Sequence, residues 1–269
     1  MAIEIAGELV IPAMRDGHPV EEIGRKEFLS KKNLRKVTVP DCVKTVGDWA
    51  FAYCDNLDTV IFKGYPSFGK SVFLDCHHLR FLYVGEGRED VAALMAAAVT
   101  KAEAPYLLSA GDAGTDEWFR KWDARMQAIF RSPDEEGYSR QVLCGEEDYG
   151  STDLVAYKNK RRRTKVRLAL LRLIYPTVLD AAVKEELEQY LKDHTKGSES
   201  EETWEVVLED SVEDSRFYKL FGELGCITEE NFDGLLRDVG PDNPELKAWL
   251  LRYKEERLGH SDFFAELDL

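Results

Sequence analysis

The sequence predicts an α+β protein in two parts, a short β-solenoid of repeats over residues 1–87 and an all-α region of helical hairpins over residues 88–269. Three observations carry that expectation. A step of 23 and then 22 residues recurs in several independent columns of the first third. After Gly85-Glu86-Gly87 the hydrophobic period changes from strand-like alternation to helical spacing. From there on, capping residues and glycine stops mark off one helix after another.

The first repeat element is the turn. PVEEIG (Pro19 to Gly24), VKTVG (Val43 to Gly47) and PSFG (Pro66 to Gly69) align, and Phe28, Phe51 and Phe73 then stand in column. The same steps recur at Leu34, Leu57 and Leu79, at Val37, Val60 and Leu82, and at Val39, Phe62 and Val84, while Cys54 and Cys76 share a column that Lys31 breaks. Two apolar residues separated by one other are what a strand with one buried face requires, so each repeat supplies a short strand. The glycine of each I-G, V-G or F-G pair is expected where the chain must turn. Leu9-Val10-Ile11-Pro12 reads as an irregular first strand, with Ala13 to Val20 as a longer connection, and together they would cap the stack.

Val43 to Phe62 nearly fills the pattern V-x-x-I-G-x-x-A-F-x-x-C-x-x-L-x-x-V-x-I-P, with Trp49-Ala50-Phe51 and Cys54 in place. In these residues the first third resembles the BspA-like class of leucine-rich repeats. The resemblance implies a right-handed solenoid with a parallel sheet on its concave side and a role in binding. Members are often surface or secreted proteins with many more repeats, and this chain differs in having few.

In such a solenoid the residues between the inward positions point out of the concave sheet, in columns. One column holds Lys36, Thr59 and Phe81, the next Thr38, Ile61 and Tyr83. Ile61, Phe81 and Tyr83 make an apolar, aromatic patch where polar residues are expected, so these six residues are the candidate partner-binding set. Either the helical part of the same chain covers the patch or a separate protein does.

In the second part, Val91, Leu94, Met95 and Ala98 form a helical stripe, and Thr115 can cap a helix carrying Trp118, Phe119, Trp122, Met126, Ile129 and Phe130. Ser132 to Gly150 is acidic and irregular. Helices are expected from Thr152 to Leu173, broken at Tyr175-Pro176, and from Val178 to Lys192. Residues 195–202 suit a flexible link. Trp204 to Val212, Ser215 to Leu224, Thr228 to Val239 and Pro244 to Leu258 read as short helices with Gly225 and Gly240 as stops and Thr228 and Asn243 as caps. The last pair distantly resembles an ankyrin- or HEAT-type hairpin.

The chemistry-bearing motifs point away from catalysis. Phosphate-loop, dinucleotide, nucleophile-elbow and H-E-x-x-H motifs do not occur. The carboxylate pairs Glu21-Glu22, Glu185-Glu186 and Glu201-Glu202 are expected on exposed stretches, without a pocket to raise a pKa. Cys76-His77-His78 offers adjacent imidazoles that face different ways, so no metal is expected, and His194 and His260 suit helix ends. The basic run of Lys158, Lys160, Arg161, Arg162, Arg163, Lys165 and Arg167 reads as a solvated helix face paired with carboxylates such as Glu146-Glu147-Asp148. With a formal charge of −15, no nucleic-acid partner is expected.

No run of about 18 apolar residues exists, so no membrane span is expected. Met1 to Pro12 lacks the plan of a secretory signal, and the five cysteines lack any C-x-x-C pair, so reduced thiols in the cytoplasm are expected, or a surface or secreted protein if a leader has been removed. The chain therefore reads as a non-catalytic protein–protein interaction module or adaptor without a cofactor. The alternatives are an enzyme or ligand-binding domain in the helical half, and a solenoid that serves only as a structural cap.

Overall fold

The computed structural model describes residues 3–139, 153–241 and 243–258. They form two compact units, the first from Met1–Ser132 with Thr177–Leu179 and the second from Pro133–Pro176 with Asp180–Leu269.

The first unit opens with the strands β1 (Ile3–Ile5), β2 (Glu8–Val10), β3 (Met14–Arg15), β4 (His18–Pro19) and β5 (Glu22–Ile23). The repeats then contribute β6 (Lys36–Val39), β7 (Thr45–Val46), β8 (Thr59–Phe62), β9 (Ser67–Phe68) and β10 (Phe81–Val84). The main sheet has the order β1-β2-β6-β8-β10, antiparallel between β1 and β2 and parallel elsewhere. A second parallel sheet, β5-β7-β9, uses the residues just before each repeat glycine. Each repeat thus supplies two strands where one was expected. The segment Ala13 to Val20, expected as a plain connection, holds the β3–β4 hairpin.

The alternation of the strands follows from burial. Val37, Val39, Val60, Phe62 and Leu82 are at most 1% exposed, while the residues between them are half-buried. Behind the sheet, the rings of Phe28, Phe51 and Phe73 stack at 5.2 and 5.8 Å. Cys54 and Cys76 lie beside this stack, and their thiols donate to the carbonyls of Phe28 and Phe51 at 3.1 Å. Burial pushes the Cys54 thiol up and the Cys76 thiol up to about 12, so both stay protonated in place.

The turns show a third ladder. Lys26, Phe28 and Ser30 donate their N–H groups to the carbonyls of Asp48, Ala50 and Ala52, and Trp49, Phe51 and Tyr53 repeat this toward Lys70, Val72 and Leu74, all at 2.7 to 3.0 Å. To aim those donors, Lys26, Trp49 and Ser71 in one column and Ser30, Tyr53 and Asp75 in another take φ of 51 to 60°. The left-handed positions therefore fall on non-glycine residues. The repeat glycines serve another need than the expected turn: a Cβ on Gly47 would lie 2.6 Å from the Arg25 amide nitrogen, and one on Gly69 would lie 2.7 Å from the Asp48 amide nitrogen. Glycine is required there because adjacent repeats approach each other backbone to backbone.

After Val84 the period ends and α1 (Glu89–Thr100) packs against β10. Its eight residues Val91 to Ala98 are all buried, which the alanine-rich composition permits. Thr115 caps α2 (Asp116–Arg131) by accepting from the Trp118 amide. The indoles of Trp118 and Trp122 donate to the carbonyls of Leu107 and Leu94, each at 3.0 Å, so both buried rings have their polar edge satisfied.

The second unit is helical. It contains α3 (Leu154–Ile174), α4 (Ala181–Asp193), α5 (Glu202–Asp210), α6 (Arg216–Glu223), α7 (Glu229–Asp238) and α8 (Pro244–Tyr253), followed by a π-helical turn at Lys254–Leu258. α4 starts later than the expected Val178 because the Asp180 carboxylate caps the amides of Ala182 and Val183, while Val178 has φ 58°. Thr228 and Asn231 form a capping box on α7, and the Asn243 side chain caps α8. The stretch 195–202, expected to be a flexible link, lies inside this unit as a bonded turn: Glu199 donates to Asp193, and Thr203 donates to His194 at 2.9 Å.

Candidate functional site

The registers of the main sheet place the expected contact residues side by side. Lys36, Thr59 and Phe81 pair across β6, β8 and β10, as do Thr38, Ile61 and Tyr83. All six are half-buried, against nearly complete burial of the residues between them. α1 packs on β10 and yet leaves Phe81 and Tyr83 partly accessible. These two rings stack on each other at 5.9 Å, with the Arg80 guanidinium 5.8 Å from the Phe81 ring. At the base of the columns Asp58 accepts from Thr59 Oγ1 at 2.6 Å and forms an ion pair with Arg80.

Two residues of this face escaped sequence reasoning. Glu8 pairs with Lys36, and Val10 pairs with Thr38, so the columns are Glu8, Lys36, Thr59, Phe81 and Val10, Thr38, Ile61, Tyr83. Val10 is 46% exposed, which leaves an apolar side chain in contact with water at the far end of the stripe. A fixed step of 22 or 23 residues misses Val10 because the β3–β4 hairpin lengthens the first repeat. Aligning Leu9-Val10-Ile11-Pro12 with Val37-Thr38-Val39-Pro40 would have found it.

The other candidate groups are engaged in structure. Along α3, Arg163 reaches Glu205 at 2.7 Å and Glu209 at 2.8 Å, and Arg167 reaches Glu209 at 2.7 Å and Asp210 at 2.9 Å. Arg162 and Lys165 hold Asp134 at 2.8 and 2.7 Å, and Lys158 pairs with Glu135. Burial raises the Asp134 carboxyl, but the hydrogen bonds from Lys165 and Arg162 outweigh it and hold the group below its usual range. The basic run is thus paired with carboxylates, but it is not the solvated face that was expected: Lys165 is 4% exposed and Arg161, Arg162, Arg163 and Arg167 are half-buried, because the helix packs this side inward; Glu146-Glu147-Asp148, Cys144 and His260 lie outside the described residues.

Glu202 corrects a second expectation. It is only 4% exposed, on the first turn of α5 beside Arg162, because the carboxylate completes a charge cluster between helices. Around Cys76, the His77 ring nitrogen lies 2.9 Å from the Asp55 carboxylate and the His78 ring nitrogen 2.9 Å from the Asp55 carbonyl, while the thiol faces Phe51. Among the described residues no group of three or more His, Cys, Asp or Glu side chains could hold a metal ion, and no helix is long and apolar enough to cross a membrane. His194 caps α4 and stacks on Tyr190 at 4.1 Å.

A shallow cleft of about 120 Å³ opens beside Tyr106, Asp112, Glu117 and Trp118. Its carboxylates are occupied by Ser109 at 2.8 Å and by Arg120 and Lys121.

A family model described as BspA type leucine rich repeat region, in 6 copies, matches residues 14–93. Residues 14–93 are a BspA-type leucine-rich repeat region. Neither the curated proteins nor the solved structures give a match to the chain. All six expected contact residues lie within the leucine-rich repeats, and Glu8 and Val10 lie just before them. Leucine-rich repeats point to protein–protein interaction and are typically non-enzymatic.

Proposed function

We propose that this protein is a non-catalytic interaction module or adaptor that binds a protein partner on the outward face of its main sheet, through Lys36, Thr38, Thr59, Ile61, Phe81 and Tyr83. The observation that carries this reading is the accessible column Val10, Thr38, Ile61, Tyr83, which crosses four strands with three apolar residues and one threonine. Strand faces turned to water carry polar residues by default, and an aliphatic and aromatic stripe there is the composition of a contact surface. The free thiols Cys42, Cys54, Cys76 and Cys226 suit a reducing compartment such as the cytoplasm.

The packing of α1 on β10 supports a second reading, in which the repeats act as a structural cap and Phe81 and Tyr83 belong to the end packing. A photo-crosslinking residue placed at Thr38 or Thr59, with one at the exposed Tyr106 as control, separates the two. The interaction reading expects protein adducts at the strand sites alone, lost in Ile61→Glu, whose melting curve stays within about 0.5 kcal/mol of the parent. Adducts no stronger than those at Tyr106, together with a large loss of stability in Tyr83→Glu, would leave the cap reading standing.

A further inference from the structure

The charges around the stripe narrow the kind of partner. Take the outward strand positions together with one residue on either side of each strand of the face. The cations are Arg35, Lys36, Lys63 and Arg80, and the anions are Glu8 and Asp58. Asp58 is taken by Arg80, and Glu8 lies 3.9 Å from Lys36. Arg35 and Lys63, both exposed, have no ion pair among the described residues. A chain with a formal charge of −15 therefore presents a local excess of positive charge on this one face. Arg35 and Arg80 stand where strands begin and Lys63 where one ends, so cations flank the apolar column on both sides.

Spacing indicates the shape of the occupant. Neighbouring strands lie about 4.8 Å apart, so the apolar residues Val10, Ile61 and Tyr83 are spaced by ~9.6 Å and then ~4.8 Å, with Thr38 between the first two. Anchors on one face of a helix recur about every 5–6 Å and, two turns on, about every 10–11 Å, whereas those on an extended strand recur every ~6.8 Å. A helix lying across the strands matches the column better. Four strands span ~14 Å, which a helix covers in roughly ten residues at 1.5 Å each.

Resting on the interaction reading above, we propose that the partner segment is an acidic amphipathic helix. It crosses β2, β6, β8 and β10 with its apolar stripe on Val10, Ile61 and Tyr83 and its flanking carboxylates facing Arg35 and Lys63.

Three synthetic helical peptides with the same Leu and Phe stripe, flanked by Glu, by Gln or by Lys, are titrated into the full chain by fluorescence anisotropy. The Glu peptide is expected to bind about tenfold more tightly than the Lys peptide, with a preference that shrinks in high salt. Arg35→Glu combined with Lys63→Glu, both exposed and safe for folding, should reverse the preference, and Ile61→Glu should abolish binding of all three. Equal or tighter binding of the Lys peptide overturns the inference, as does Glu-peptide binding that ignores the double variant. If no peptide binds while Thr38 still crosslinks to protein, the acidic helix is wrong and the interaction reading survives. Failure of both experiments removes both.

Discussion

Neighbouring repeats are joined by backbone ladders and a stack of buried rings, whereas α3 and α5 are linked in addition by charged side chains. In the repeats, amides of one turn donate to carbonyls of the next, and the strands add their own parallel ladders. In the second unit Arg163 and Arg167 on one helix form ion pairs with Glu205, Glu209 and Asp210 on the other. Two features that look unusual in the sequence therefore mean different things. The backbone ladders form whatever residues stand outward on β6, β8 and β10, while cations of the basic run on α3 are held in ion pairs with Asp134, Glu135, Glu205, Glu209 and Asp210.

That contrast can be broken by experiment. The largest effect is expected at Phe51, the middle ring of the stack, where Phe51→Ala should cost about 3–5 kcal/mol by denaturant unfolding; a loss below about 1 kcal/mol would show that the ring column does not hold the repeats together. Gly47→Ala pushes a methyl against the neighbouring backbone and should cost about 1–3 kcal/mol, while Gly111→Ala, with open space around it, should be near neutral. If both glycines behave alike, close approach is not what Gly47 provides.

Acid sensitivity tests a charge at the start of α1. Asp90 accepts from Arg88 and from Thr177 at 2.7 Å, and these bonds hold its carboxyl at about 2, below the usual 3.8. A depressed pKa means the folded state favours the ionised form, so this stabilisation is fully present well above the usual 3.8 and is lost progressively as the pH falls through about 2. Asp90→Asn should therefore lose about 1–2 kcal/mol at neutral pH, and the difference should shrink steadily as the pH is lowered from about 5 toward 2. A difference that does not shrink over that range would point to packing. Smallest of all, Arg163→Gln or Arg167→Gln should cost up to about 1 kcal/mol each, less in high salt, whereas the Phe51 effect should not shrink with salt.

The repeat was legible because its buried residues recur at a fixed step and must all change together if the step is wrong. Leu34, Leu57 and Leu79, or Val37, Val60 and Leu82, carry the fold without reference to anything distant. The helices were legible in the same local way, through Thr115, Thr228 and Asn243 as caps. What failed depended on distance. Arg163 meets Glu205, 42 residues away, and no local pattern selects that partner over the nearer Glu146. Glu202 reads as a surface residue until α3 is laid beside it. Val10 was lost to the extra hairpin in the first repeat, and the role of Gly47 was misread because a sequence shows that a glycine is present without showing which atom it makes room for.

The two ends of the main sheet are closed by different elements: β1 pairs with β2, and α1 packs on β10. Duplication of one 22-residue stretch within the gene would lengthen the face by a single strand, about 4.8 Å, and add one pair of outward side chains while both closures stay as they are. The length of this surface then changes in whole steps, by copy number, and its chemistry in between by point changes at outward positions such as Thr38 and Thr59.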